Sequence, residues 1–317
     1  MKMMLAALTV CLAGFAQAQG YPGDKVVKIL VPFAAGSVTD TLARQVANGL
    51  QRRMKGTFIV ENKPGANGII ATEAVAKAPA DGYTLLVGTT STHSQNPWMI
   101  KNVPYHPIKD FTPVAGIGGF PMLVVVPAGL PVRNMVEFVQ YVKARPGSLS
   151  YGAPNGTSQV CAELMKNKLG IDLVRANYKS GPQAIGDLAA GHLTMICSDY
   201  FAAISLVQSG KLKALAITGN SRASALPGVP AMKEVVKGFE ELRTWAGVLA
   251  PKGTPPAIAE QLARNILAIT AEREFVDRFA NMSFAPTAVG LEQFGDFLQT
   301  QLTTWGEWAK EAGIEPE

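Results

Sequence analysis

Short apolar runs rich in β-branched residues alternate along this chain with longer stretches whose apolar positions return every four residues, and that alternation predicts an α/β architecture. The first run, Val26–Val31, reads VVKILV and predicts a buried strand. Residues 32–39 then predict a loop, and 40–54 a helix with Leu42, Val46 and Leu50 on one face. A strand over 57–60, a turn over 62–68, a helix over 69–77 and a strand over 83–88 follow in the same style. Strand–helix–strand units of this kind pair in parallel through right-handed crossovers.

The same grammar returns later, with strands over 149–152, 173–176, 192–197 and 213–218 and helices over 158–169 and 183–190. No sequence repeat relates the two series. Two apolar β-rich runs stand apart, 121–127 and 245–251; each ends in proline and falls where one series gives way to another. They predict two crossings, and a hinge, between a first lobe of residues 19–122 plus 248–317 and a second of 123–247. Residues 256–271 and 291–309 read as amphipathic helices that need a sheet to cover.

Residues 1–18 carry one charge, Lys2, then an apolar run up to Phe15 and the small-x-small triplet Ala16-Gln17-Ala18. This is the pattern of a cleavable signal peptide. The run is too short to span a bilayer core of about 30 Å. Val10, just before Cys11, is too bulky for a lipoprotein site. An exported, periplasmic mature chain beginning near Gln19 is therefore expected.

Net charge is +5 and falls to +4 when Lys2 leaves with the leader. Basic residues are interleaved with acidic ones, and the densest group, Arg52-Arg53-Met54-Lys55, falls at a helix end where cations meet the negative dipole terminus. No nucleic-acid surface is expected, although the positive balance favours small anions. After export Cys161 and Cys197 remain. An oxidising compartment permits a bridge, whereas two buried, small apolar side chains is the plainer reading. His93, His106 and His192 show no zinc-type spacing, so no metal is expected.

Enzyme signatures are missing: no Gly-x-Ser-x-Gly, His-Glu-x-x-His, phosphate loop or Cys-x-x-Cys occurs, and Gly116-x-Gly118 breaks off at Pro121. No catalytic residue is named. What stands out are strand-to-helix loops able to turn backbone amides toward an anion. The first holds Phe33, Ala34, Ala35, Gly36, Ser37, Val38, Thr39 and Asp40, where small residues allow close approach and Thr39 or Asp40 also suits a helix cap. The second, after a strand, includes Thr89 and Ser91; the third is Asn155, Gly156, Thr157, Ser158 and Gln159. In open α/β sheets ligands sit outside the carboxyl ends of strands, where all three loops must lie. Backbone amides of the first loop are the expected grip on an anion. Asp199 either accepts from a ligand or caps a helix, Trp245 either lines the cleft or packs the hinge, and Arg175 and Lys179 are either counter-charges or surface groups.

Ordered motifs along the whole mature chain resemble the extracytoplasmic solute receptors of tripartite tricarboxylate transporters, the Bordetella uptake gene family. They begin with Tyr21-Pro22, Val31-Pro32-Phe33-Ala34 with Asp40, and Val60-Glu61-Asn62-Lys63-Pro64-Gly65-Ala66, and run on through Asp81-Gly82-Tyr83-Thr84-Leu85-Leu86 and Lys109-Asp110-Phe111-Thr112-Pro113. Arg145-Pro146-Gly147, Tyr151-Gly152, Asp187-Leu188, the run from Ser209-Gly210-Lys211 to Ala216, Leu226-Pro227-Gly228-Val229-Pro230 and Ala250-Pro251-Lys252-Gly253-Thr254-Pro255 complete them. The resemblance implies a two-lobed periplasmic binding protein fold, type II-like, each lobe a mixed sheet flanked by helices with a cleft between. It implies no cofactor, capture of a di- or tricarboxylate, acidic amino acid or aromatic carboxylate, and delivery to membrane permease subunits by a monomer. Two departures fall at the cleft: Ser37 stands where members often carry a second glycine, and Gln159 where they often carry histidine. The rival readings are a sensory or orphan binding protein that shows its closed form to a signalling partner, and an exported hydrolase.

Overall fold

β1 (Val26–Val31) buries Val27, Ile29 and Val31 completely and runs through the 32–37 loop into α1 (Val38–Met54). Ser37 caps α1 by accepting from the amide of Asp40, and Arg52 and Arg53 occupy its last turn, both paired with Glu272. The chain returns as β2 (Thr57–Asn62), α2 (Ile69–Ala76) and β3 (Thr84–Thr89), so the helical crossovers lay β2 and β3 parallel on either side of β1. A π-helical turn, Thr90–Gln95, and the short α3 (Asn96–Met99) follow. Then come β4 (Phe111–Gly119), β5 (Met122–Pro127), α4 (Met135–Lys143), β6 (Ser150–Ala153), α5 (Gly156–Leu169), β7 (Val174–Asn177), α6 (Gly181–Ala189) and β8 (Met195–Asp199). The rest is α7 (Tyr200–Gln208), β9 (Leu212–Ile217), α8 (Met232–Val235), β10 (Ala246–Pro251), α9 (Pro256–Thr270), α10 (Arg273–Phe279), β11 (Ala285–Pro286) and α11 (Leu291–Glu311). The structure, a computed structural model, describes residues 20–178, 180–280 and 283–316. The leader, with Cys11, and Lys179 lie outside them.

Two mixed sheets result, one of six strands in the order β11-β4-β10-β3-β1-β2 and one of five in the order β7-β6-β8-β5-β9. Each is covered by helices on both faces: α1 and α9 against α2 and α11 on the first, α4 and α5 against α6 and α7 on the second. The two β-rich runs expected to be the crossings form β5 and β10, inside the sheets. β5 and β10 are buried along their whole length and hydrogen-bonded on both edges, so they cannot flex without breaking a ladder. The chain passes between sheets just before each of them, at 119–121 and 242–245. There Thr244 N donates to Phe120 O at 2.9 Å. A Cβ at Gly119 would lie 1.7 Å from Thr244 O, so the close approach demands glycine. Thr218 Oγ1 ties both passages, accepting from Met122 N at 2.8 Å and donating to Leu242 O at 2.5 Å.

α11 belongs to neither sheet alone. Phe294 and Leu298 pack in the first sheet's core with Trp245, while Trp305 and Trp308 pack in the second's with Leu164 and Leu242. A division that puts all of 248–317 with the first sheet therefore misses the last turns of α11, and a boundary at 247/248 cuts β10. Cys161 on α5 and Cys197 on β8 are both fully buried and are bridged, with Cα atoms 6.1 Å apart.

Candidate ligand-binding site

The register of the sheets decides what meets at the crossing. β10 begins beside the end of β3, with Ala246 opposite Thr89, and β5 begins beside the end of β8, with Met122 opposite Asp199. β1 is parallel to β3, and β6 to β8. The carboxyl ends of all four strands, and the loops after them, are therefore turned toward the place where the two sheets join.

In the first loop Ala34, Ala35 and Gly36 are exposed, and Phe33, Ser37, Val38 and Thr39 half-buried. Gly36 has φ +82°, a left-handed conformation that suits glycine. Not all of the loop's amides are available. Gly36 N donates to Asp40 Oδ2 at 2.9 Å and Ser37 N to Ala34 O at 3.2 Å. The amides of Ala34, Ala35, Val38 and Thr39 make no hydrogen bond among the described residues, and the last two are at the positive end of a 17-residue helix. Asp40, expected at the ligand, is buried and turned into the loop. Its carboxylate accepts from Arg44 Nε at 3.0 Å and Asn62 Nδ2 at 2.9 Å, and Asn62 also donates to Phe33 O at 3.0 Å. Burial alone would raise this carboxyl, but hydrogen bonds from Arg44, Gly36 and Asn62 outweigh it and hold it below its ordinary value. Asp40 thus fastens the loop, and its charge is matched by Arg44.

In the second loop Thr89 is buried and its amide donates to Thr92 Oγ1 at 3.0 Å, while Ser91 is half-buried. Its neighbour Thr90 holds Trp245 from both sides, accepting from Trp245 N at 2.7 Å and donating its own amide to Trp245 O at 3.1 Å. Trp245 Nε1 donates to Ser94 Oγ at 3.1 Å, and the ring is buried edge-on to Phe294 and Phe297. His93 is fully buried against Phe111 and Trp245, with Nδ1 2.8 Å from Thr92 Oγ1, and burial pulls its imidazole down to about 3. It is a neutral core residue. Among the described residues no group of three or more His, Cys, Asp or Glu is placed to hold a metal.

The third loop comes from the other sheet. Asn155 caps α5 through Ser158 N at 2.9 Å and accepts Gln159 N on its carbonyl at 3.2 Å, which leaves the amides of Gly156 and Thr157 unclaimed among the described residues. Ser158 Oγ is fully buried with no partner among the described residues, and Gln159 is half-buried. The π-helical turn and α3 that continue the second loop touch the third: Gln95 Nε2 donates to Thr157 Oγ1 at 2.7 Å, and a Cβ at Gly156 would meet Met99 Sδ at 2.6 Å. The sequence gives no warning of Gln95, because an irregular π-helical turn has no periodicity to read. Asp199 ends β8 and precedes α7 but makes no capping bond. Half-buried and with no partner for its carboxylate among the described residues, it is pushed above its ordinary pKa by desolvation. Arg175 is not at the crossing edge but within β7, opposite Tyr151.

Two mixed sheets, two passages between them, and strand ends and helix N-termini turned toward the join define a two-lobed solute-binding protein. The sequence profile of the tripartite tricarboxylate transporter family receptors (TctC) matches residues 42–314. The chain belongs to that family. A UPF0065 protein of Bordetella pertussis is 32% identical over 96% of this chain and 94% of its own. Among solved structures, R. palustris Rpa4515 with adipate superposes with a TM-score of 0.87 at 31% identity, covering 94% of this chain and 100% of that one. The periplasmic binding protein BugD gives 0.83 at 32%, covering 94% and 100%, and MatC from Rhodopseudomonas palustris with bound malate gives 0.77 at 27%, covering 89% and 98%.

Proposed function

We propose that this chain is a periplasmic receptor that closes over a small dicarboxylate and hands it to the membrane subunits of a tripartite transporter, without catalysing a reaction. The observation that carries the reading is the set of unclaimed amides at two helix N-termini, those of α1 and α5, which follow strands of different sheets at one crossing. Two such ends suit a ligand with an anionic group at each end. Adipate and malate, bound by the two relatives named above, have that form. The site residues are Phe33 to Thr39, Thr89, Ser91, Asn155 to Gln159 and Asp199, with Asp40 holding the first loop in shape. The first lobe comprises residues 20–119 and the segment from 246 to the middle of α11; the second comprises 122–242 and the end of α11. Export by removal of residues 1–18 and action as a monomer complete the reading.

A dicarboxylate series from malate to adipate, followed by thermal shift on the mature protein, tests it. A ligand at 100 times its Kd adds about 2.7 kcal/mol of stability. At least one diacid should produce a saturable shift that its monocarboxylate analogue does not. If every diacid leaves the melting curve unchanged, the reading fails.

A further inference from the structure

A cavity of about 380 Å³ lies at the crossing, lined by Gly119, Arg243 and Trp245 of the passages, by β11, and by α11. β11 is the edge of the first sheet farthest from β1 and β2, and β4, β10 and β3 stand between it and β1. Its volume falls within the roughly 300–1,000 Å³ of small-molecule pockets.

The walls specify a chemistry. Trp245, Phe297 and Trp308 supply three aromatic rings, and Trp245 and Phe297 already pack edge-to-face at 5.7 Å and 82°. Gln293 and Gln301 add carboxamides that donate and accept. The two charged side chains in the wall cancel: Arg243 Nε is paired with Glu241, and Arg243 Nη1 donates to Ser283 O at 3.1 Å. Such a space disfavours an ion and favours a flat ring with one polar edge. We infer that it is a second binding site, separate from the carboxylate cleft, for a small uncharged aromatic molecule of the indole or phenol class. Phe297 packs with the first sheet's core and Trp308 with the second's, so an occupant touches both halves of the molecule.

Indole is the probe, with cyclohexanol as the uncharged, non-aromatic control, both titrated calorimetrically into the mature protein. Gln301→Trp and Gln293→Trp, on the half-buried and exposed sides of α11, each fill the cavity, and circular dichroism melts verify that they fold. Wild type should bind indole saturably at one site, cyclohexanol should bind several-fold more weakly, and a filled variant should lose about tenfold or more in affinity. No saturable indole binding, equal binding of cyclohexanol, or unchanged binding in both folded variants overturns the proposal. None of these outcomes bears on the carboxylate cleft, which the diacid series tests separately.

Discussion

A desolvated carboxylate without a partner weakens a fold, and among the described residues Asp199 is in that position at the end of β8. Its folded pKa is raised above 3.8, so ionisation favours the unfolded chain at neutral pH, and that penalty is relieved as pH falls through the raised value. Asp199→Asn should therefore melt higher than wild type at neutral pH, with the gap closing in acid. Thermal melts at both ends of that range check this; an asparagine variant that melts lower at neutral pH would mean that the carboxylate has a partner. His93 works in the opposite sense. Its folded pKa is lowered to about 3 from 6.5, so the unfolded chain takes up the proton first and stability falls as pH drops through that interval. The decline from this one group is at most about 1.4 kcal/mol per pH unit. Urea unfolding at a series of pH values from neutral down to about pH 4 should show a shallower acid loss in His93→Leu than in wild type.

Among the elements, α5 is tied covalently to β8, the strand that ends in Asp199, through Cys161 and Cys197. Closing a loop with a sequence separation of 36 is worth about 2–4 kcal/mol. Cys161→Ser with Cys197→Ser should lose that much in denaturant unfolding, and the unreduced mature protein should titrate as free of thiols. Much of this layer was legible in the sequence. The four-residue spacing of Leu42, Val46 and Leu50 marks α1, and all three are buried. The loops at strand ends were legible too, since a glycine-bearing stretch between a β-branched run and a helical one has few other meanings. What periodicity does not carry is direction and partnership. Met122–Pro127 is uniformly apolar, a pattern shared by a hinge lined with hydrophobes and a central strand, and only the two hydrogen-bonded neighbours of β5 decide it. α11 shows a single amphipathic stripe along its length, yet Phe294 and Trp305 on that stripe serve different cores. Asp40 has the sequence look of a loop anion or a cap, and its inward turn depends on Arg44 one helical turn later and Asn62 on another strand.

For the molecule as a whole, three paths among the described residues join the two sheets: 119–121, 242–245 and α11. The first two are pressed together at Gly119 and fastened by Thr218, while α11 is held at its middle by Trp98, whose Nε1 donates to Leu302 O at 2.9 Å above Gly306. A pivot so confined favours rigid-body closure over a loosening of either lobe. Small-angle scattering should accordingly show a smaller radius of gyration when the mature protein is saturated with whichever diacid gives the largest thermal shift. Gly119→Ala brings a methyl to 1.7 Å from Thr244 O, far inside the 3.0 Å below which real Cβ contacts essentially never fall, so the passages must separate. Overpacking of this kind usually destabilises by about 1–3 kcal/mol. The variant should melt lower and should compact less on the same ligand, because its two passages no longer share one axis. A wild-type radius that stays constant at saturation would remove closure from the mechanism and leave a preformed, open site; normal compaction in Gly119→Ala would move the pivot to α11.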